Sequence, residues 1–296
     1  MIRSRNSLKA EWNRHGERMI SLGSPVICNI SQEAIFDGKV GDEKMSTNDK
    51  ISDPMIRSLY ERKSMRVFTG KHISEDDVRI IAEAAAQAPT AGNQQLYMIL
   101  RITDSEKKHR LSISCDNQLF IEEADLVLVF CADCLRWYRA YEEAGIVPRK
   151  PGEGDLMLAV SDALIAAQNA VTAAQALGIG SCYIGDIMEN AEVQREILGL
   201  PAYVFPAAML VFGYPTEQQK ERPKPKRLDL GYVLQENVYH EHTGEELRKM
   251  FEDRTGHKTY DDWMRAFYER KYNSGFAREM TRSVRKFLKD YERDFQ

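Results

Sequence analysis

Glu61-Arg62-Lys63-Ser64-Met65-Arg66-Val67-Phe68 places three cations and a hydroxyl within five positions. The stretch follows residues 54–61, whose pattern predicts a helix. Cations and a hydroxyl held this close can grip a phosphate, the cations supplying charge and Ser64 a directed O–H. The same composition also serves as a solvated basic turn. The rest of the chain decides between the two.

The 296 residues are 43% hydrophobic and 29% charged, enough for a sizeable core in one large domain or two small ones. A net charge of −4 argues against the basic surface of a general nucleic-acid binder, so any anion site is local. The five cysteines (Cys28, Cys115, Cys131, Cys134 and Cys182) are odd in number and widely spread, which suits a reducing cytoplasm and not a disulfide framework. Arg3, Arg5, Lys9, Arg14 and Arg18 lead into an apolar run broken by Ser21, Gly23, Ser24 and Pro25, a poor signal peptide. Residues 163–185 carry no charge, but Gln168, Asn169, Thr172 and Gln175 interrupt them, predicting a buried helix and no membrane span.

Upstream of the basic stretch, residues 37–54 are rich in Gly, Asp, Lys, Ser and Asn and read as linker or disorder. Residues 1–53 are therefore expected to be an N-terminal extension, with Met45 and Met55 as alternative starts. Downstream, Ser74-Glu75-Asp76-Asp77 opens a helix with a capping side chain and acids in its first turn, and Pro89 ends it. The loop Pro89-Thr90-Ala91-Gly92-Asn93-Gln94-Gln95 is small and polar, suiting either close approach to a ligand or an ordinary connection. Strands are expected at 97–102, 124–132, 181–184 and 207–212, and helices at 105–114, 135–144, 155–177, 191–198, 243–253 and 276–295. The continuous apolar run 124–132 reads as a strand covered on both faces. Pattern alone thus suggests a parallel α/β sheet. Alanines lie almost all round the 155–177 helix, so it must be surrounded by protein, and they permit close packing across a dimer interface. Residues 221–227 form a second basic cluster.

Taken in order, R-K-S-x-R (62–66), A-P-T-A-G-N-Q-Q (88–95), G-I-G-S-C-Y-I-G-D-I (178–187) and F-G-Y-P (212–215) with R-P-K-P-K-R-L (222–228) resemble the FMN-dependent nitroreductase/flavin reductase family. The resemblance covers about residues 55–228, and F-A-R-E-M-T-R-S-V (276–284) is similar to the extension of one bacterial branch. It implies an α+β sandwich with a mainly antiparallel central sheet flanked by helices, in place of the parallel sheet. It also implies an intertwined homodimer with FMN at the subunit interface. Residues 54–228 would be the FMN-binding domain, and 229–296 a helical extension packing on the partner subunit. In such proteins the positions of Arg62, Lys63 and Ser64 hold the FMN phosphate, joined here by Lys226 and Arg227. The family often shows Lys-x-Arg, Pro225 falls where that lysine would be, and Lys224 or Lys226 can substitute. Arg66 would lie beside the pyrimidine end of the flavin, where a cation about 4 Å away contributes about 4 kcal/mol at an effective dielectric near 20. Asn93 and Gln95 would bond the ring's carbonyl and imide edge, and the backbone at Ile184 and Gly185 would reach N5. The implied reaction is ping-pong: NADPH or NADH delivers hydride to FMN, and a small-molecule oxidant (nitroaromatic, quinone or flavin) removes it. No catalytic side chain and no metal ligand are implied.

Other signals weigh less. Cys131-Ala-Asp-Cys134 could be a redox pair or half a zinc site, but no second C-x-x-C follows and a packing role is expected. Cys182 is expected to pack, and His240-x-His242 is weak as a metal motif. Trp137, Tyr138 and Tyr141 read as core and rim of the substrate-side helices. Two other functions fit the resemblance: another flavin reaction on the same fold, such as dehydrogenation or dehalogenation, and flavin binding without turnover in a regulatory protein.

Overall fold

A computed structural model describes residues 53–292. The expectations for residues 1–52, for Cys28 and for the end of the last helix beyond 292 lie outside the described residues.

The sheet consists of β1 (Tyr97–Arg101), β2 (Leu126–Asp133), β3 (Gly180–Ile184) and β4 (Val204–Gly213). Their spatial order is β1-β2-β4-β3, and every neighbouring pair is antiparallel. The parallel pattern suggested by alternating helices and strands is thereby corrected. The long helix between β2 and β3 delivers the chain past β4's position instead of to a parallel neighbour. Every residue of β2 and β4 is buried, so uninterrupted apolar runs reflect cover on both faces and not strand direction. Pro206 lacks an N–H, and the β2–β4 register shifts at Phe130/Cys131 beside it, where a bulge accommodates the missing donor.

The helices are α1 (Pro54–Glu61), α2 (Glu75–Ala86), α3 (Ser105–Ser114), α4 (Phe120–Glu123), α5 (Leu135–Glu143), α6 (Glu153–Ala176), α7 (Ala191–Leu198), α8 (Glu217–Glu221), α9 (Gly244–Thr255), α10 (Tyr260–Lys271) and α11 (Gly275–Leu288). Local chemistry explains their starts. Asp53 accepts from the amides of Met55 and Ile56 ahead of a proline that needs no partner. Ser74 accepts from the amide of Asp77 at 3.1 Å. Sequence reading missed α10, although Thr259 caps the amide of Asp262 and Tyr260, Trp263, Met264 and Phe267 recur at helical spacing.

α6 organises the packing. Ala159, Ala163, Ala166, Ala167, Ala170 and Ala174 are fully buried, so small side chains bring this helix close to the sheet and to α2. Asn169 reaches across to the carbonyl of Ala84 at 3.2 Å. α6 is long and apolar enough to cross a membrane by length and composition alone, yet this alanine stripe packs on the protein's own sheet. Its outer face carries Met157, Leu158, Leu164 and Ile165, all exposed. The alanines therefore serve the chain's own core, and the outward surface is built from larger apolar residues.

α11 docks on α7 of the same chain. Arg282 grips Glu192 through two bonds of 3.0 and 2.9 Å. Phe287 is fully buried, edge-on to Phe205 with centroids 5.1 Å apart, and Arg195 lies 4.7 Å over its ring.

Candidate cofactor site

Residues 64–69 run along the free edge of β3 and the end of β4. Ser64 bridges Ser181 in parallel and Phe68 bridges Pro215 in antiparallel fashion. The Met65 amide donates to the Ser181 carbonyl at 2.9 Å, and the Thr69 amide to the Tyr214 carbonyl at 2.8 Å. The basic stretch is thus a fixed extended segment, and the solvated-turn alternative does not describe it. Met65 points inward and is buried, while Arg66 is exposed.

Arg62 is the electrostatic centre of this group. Its Nε and Nη2 are buried without a hydrogen-bond partner among the described residues. Its guanidinium lies 5.9 Å from the Tyr183 ring centroid. Burial holds its pKa below the ordinary arginine value, and Arg227 nearby pushes the same way. An unpaired buried cation is costly, and an anion lying against these two nitrogens would relieve that cost. This is the fit a phosphate requires.

The other expected residues divide. Ser64 lies two residues after Arg62, and Arg222 holds its carbonyl through Nη2 at 2.6 Å. Lys63 donates its ammonium to the carbonyls of Lys220 and Arg222, tying the stretch to the end of α8. The Arg66 guanidinium sits 5.9 Å from the Phe120 ring centroid. In the late cluster, Lys226 pairs with Asp253 of α9, and Lys224 donates to the carbonyls of Leu59 and Tyr60 at the end of α1. Arg227 has no ion pair among the described residues. Ile184 is buried at the end of β3, and a Cβ placed on Gly185 would meet nothing within 4 Å, so space is open beside that backbone.

Asn93 and Gln95 belong to a second group. Their loop is tightly wound, with positive φ at Gly92 (57°), Asn93 (56°) and Gln95 (51°). One buried carboxylate organises it. Asp162 of α6 accepts from the Thr90 hydroxyl (2.5 Å) and from the amides of Ala91 (3.1 Å) and Leu96 (3.1 Å). Thr90 Oγ1 in turn accepts from the Gln95 amide at 2.7 Å, and the Gln95 side chain donates to the Ala86 carbonyl at 3.2 Å. Trp137 donates its indole N–H to the Gln94 carbonyl at 2.9 Å. Beside this loop is a cavity of about 520 Å³ whose lining includes Gln94, Trp137, Tyr138, Tyr141 and Leu158. No hydrogen bond or ring contact among the described residues joins this loop to residues 62–66.

Asp162, Phe120 and Gln219, whose Oε1 accepts from the Arg66 amide at 3.2 Å, are participants that sequence reading missed. Asp162 had a signal: it is the sole charge between Leu156 and Ala176, and a carboxylate inside an alanine-rich helix needs donors. Phe120 and Gln219 had none. The C-x-x-C pair is placed in the core. Cys131 and Cys134 are free and buried, and burial pushes both thiols up to about 12, which leaves them unreactive. Burial also raises the Cys182 thiol, against the pull of the nearby Arg66 cation.

A model described as the nitroreductase family matches residues 59–214. An FMN reductase (NADPH) of Bacillus subtilis is 30% identical over 242 residues, covering 81% of this chain and 93% of that protein. The solved structure of the NfrA1 nitroreductase of B. subtilis superposes with a TM-score of 0.67 at 27% identity, covering 80% of this chain and 98% of that one. An NADPH:FMN oxidoreductase from Vibrio harveyi, solved in complex with NAD+, gives a TM-score of 0.68 at 26% identity, covering 79% and 97%.

Proposed function

The chain belongs to the nitroreductase family, and on that premise we propose that it passes hydride from NAD(P)H by way of FMN to nitroaromatics, quinones or free flavins in a ping-pong cycle. It is an NAD(P)H-dependent oxidoreductase with FMN as cofactor. The observation that carries the finer reading is the Arg62 guanidinium, whose buried Nε and Nη2 have no hydrogen-bond partner among the described residues.

Bound FMN supplies the two-electron chemistry, accepting hydride and releasing it to an oxidant. The chain supplies grip, orientation and charge. Arg62, Ser64 and Arg227 hold the phosphate, and Lys63 keeps their segment anchored to α8. Lys226, paired with Asp253 in this structure, lies beside Arg227 in sequence and completes the basic rim. Arg66 places a cation at the pyrimidine end, where reduction builds negative charge, and so favours the reduced state. Asn93 and Gln95 bond the ring edge, and the backbone at Ile184 and Gly185 leaves the N5 side approachable. Donor and oxidant take turns beside the aromatic wall of Trp137, Tyr138 and Tyr141.

Among the described residues no hydrogen bond or ring contact joins the loop of Asn93 and Gln95 to residues 62–66, and we infer a homodimer in which each copy lends its loop to the other's phosphate group. The exposed apolar face of α6 supports this, as does the segment after residue 229 with Leu230, Val233, Leu234, Val238 and Tyr239 exposed. The test is an absorption spectrum of the purified protein with and without NADPH under anaerobic conditions, followed by turnover with menadione or nitrofurazone. Flavin bands that bleach and then recover with the oxidant support the reading. A colourless protein that FMN cannot reconstitute sinks it.

A further inference from the structure

The stretch that carries Arg66 is shaped from beneath and from the side by residues 213–222. From the side, Oε1 of Gln219 accepts from the Arg66 backbone amide at 3.2 Å, and Gln219 itself is buried within α8. From beneath, Phe68 lies directly on Gly213: a Cβ at that glycine would fall 2.5 Å from Phe68 Cγ and 2.6 Å from Cδ1. No real side chain tolerates that distance, so the ring's height above β4 depends on a hydrogen at position 213. Gly213 has ordinary strand geometry, and its φ gives no reason for a glycine. The space beneath Phe68 does.

We propose that Gly213 and Gln219 are positioning residues for the cofactor, fixing the height and direction of the segment from which Arg66 projects. This rests on the reading that residues 62–66 hold FMN. A side chain at 213 lifts Phe68 and tilts the segment; loss of the Gln219 acceptor frees the Arg66 amide and lets its guanidinium leave the flavin.

The experiment compares FMN affinity by fluorescence titration and the reduction potential of bound FMN in Gln219→Leu, Gln219→Glu, Gly213→Ala, Phe68→Ala and the Gly213→Ala/Phe68→Ala double variant. Gln219→Leu is expected to bind FMN about tenfold more weakly and to lower its potential, while Gln219→Glu, which keeps an acceptor, stays within about threefold. Gly213→Ala is expected to cost about tenfold in the parent and nothing further in the Phe68→Ala background. A role in folding alone would lower thermal stability without moving the potential. Parental affinity and potential in Gln219→Leu, or an equal Gly213→Ala cost in both backgrounds, overturns the proposal. Should Gln219→Leu fail to fold, the Gly213 cycle decides. A parent protein that binds no FMN defeats the underlying reading, an outcome distinct from variants that bind normally.

Discussion

Arg62 makes a prediction whose two halves have opposite signs. Replacing it with Met removes a half-buried cation whose Nε and Nη2 have no hydrogen-bond partner among the described residues, so the FMN-free protein should melt no lower than the parent. FMN affinity should fall about 100-fold, as loss of about 3 kcal/mol of charge-assisted bonding would produce. Differential scanning fluorimetry and flavin titration check the two halves. Glu189 makes the second prediction. Burial first, and then the carboxylates of Asp186, Asp116 and Glu279, push its pKa up to about 7 from 4.5. The folded state therefore holds a proton that the unfolded state has lost, and stability falls as pH rises from about 4.5 to about 7. Glu189→Gln should flatten that fall and raise the melting temperature above pH 7 by about 2–4 °C, read from thermal scans across pH.

At the scale of elements, Asp162 ties α6 to the loop before β1. Asp162→Ala leaves the amides of Ala91 and Leu96 without their acceptor, at a cost of about 3 kcal/mol in urea denaturation. Protease cleavage within residues 89–96 should appear with it. Such elements were legible in proportion to how local their causes are. α1, α3 and α7 follow from caps and periodicity, and their expected limits match those observed. α2 stops at Ala86, three residues before Pro89, with the Gln87 amide bonding back to the carbonyls of Glu83 and Ala84. Strand direction was not legible, because full burial of β2 and β4 erases the alternation that marks an antiparallel strand. The short α8 and the role of Gln219 were invisible, since both depend on a segment more than a hundred residues earlier in the chain.

At the scale of the whole molecule, the motifs that resemble the family were readable because each is a contiguous run. Which motifs meet in one chain was not, because that depends on topology. The exposed face of α6 sets the fourth prediction: Leu164→Glu with Ile165→Glu should yield monomers by light scattering, and these should lose FMN together with their partner. The proposed homodimer, with each copy's loop at the other's phosphate group, has a consequence for mixtures of defective copies. A chain with Arg62→Ala keeps a sound loop, and a chain with Asp162→Ala keeps a sound phosphate grip. Neither alone should reduce a quinone well. Unfolded together and refolded, they should recover about a quarter of full activity, because about half of the pairs are mixed and each mixed pair assembles one intact site. Two broken alleles would then rescue each other in one cell.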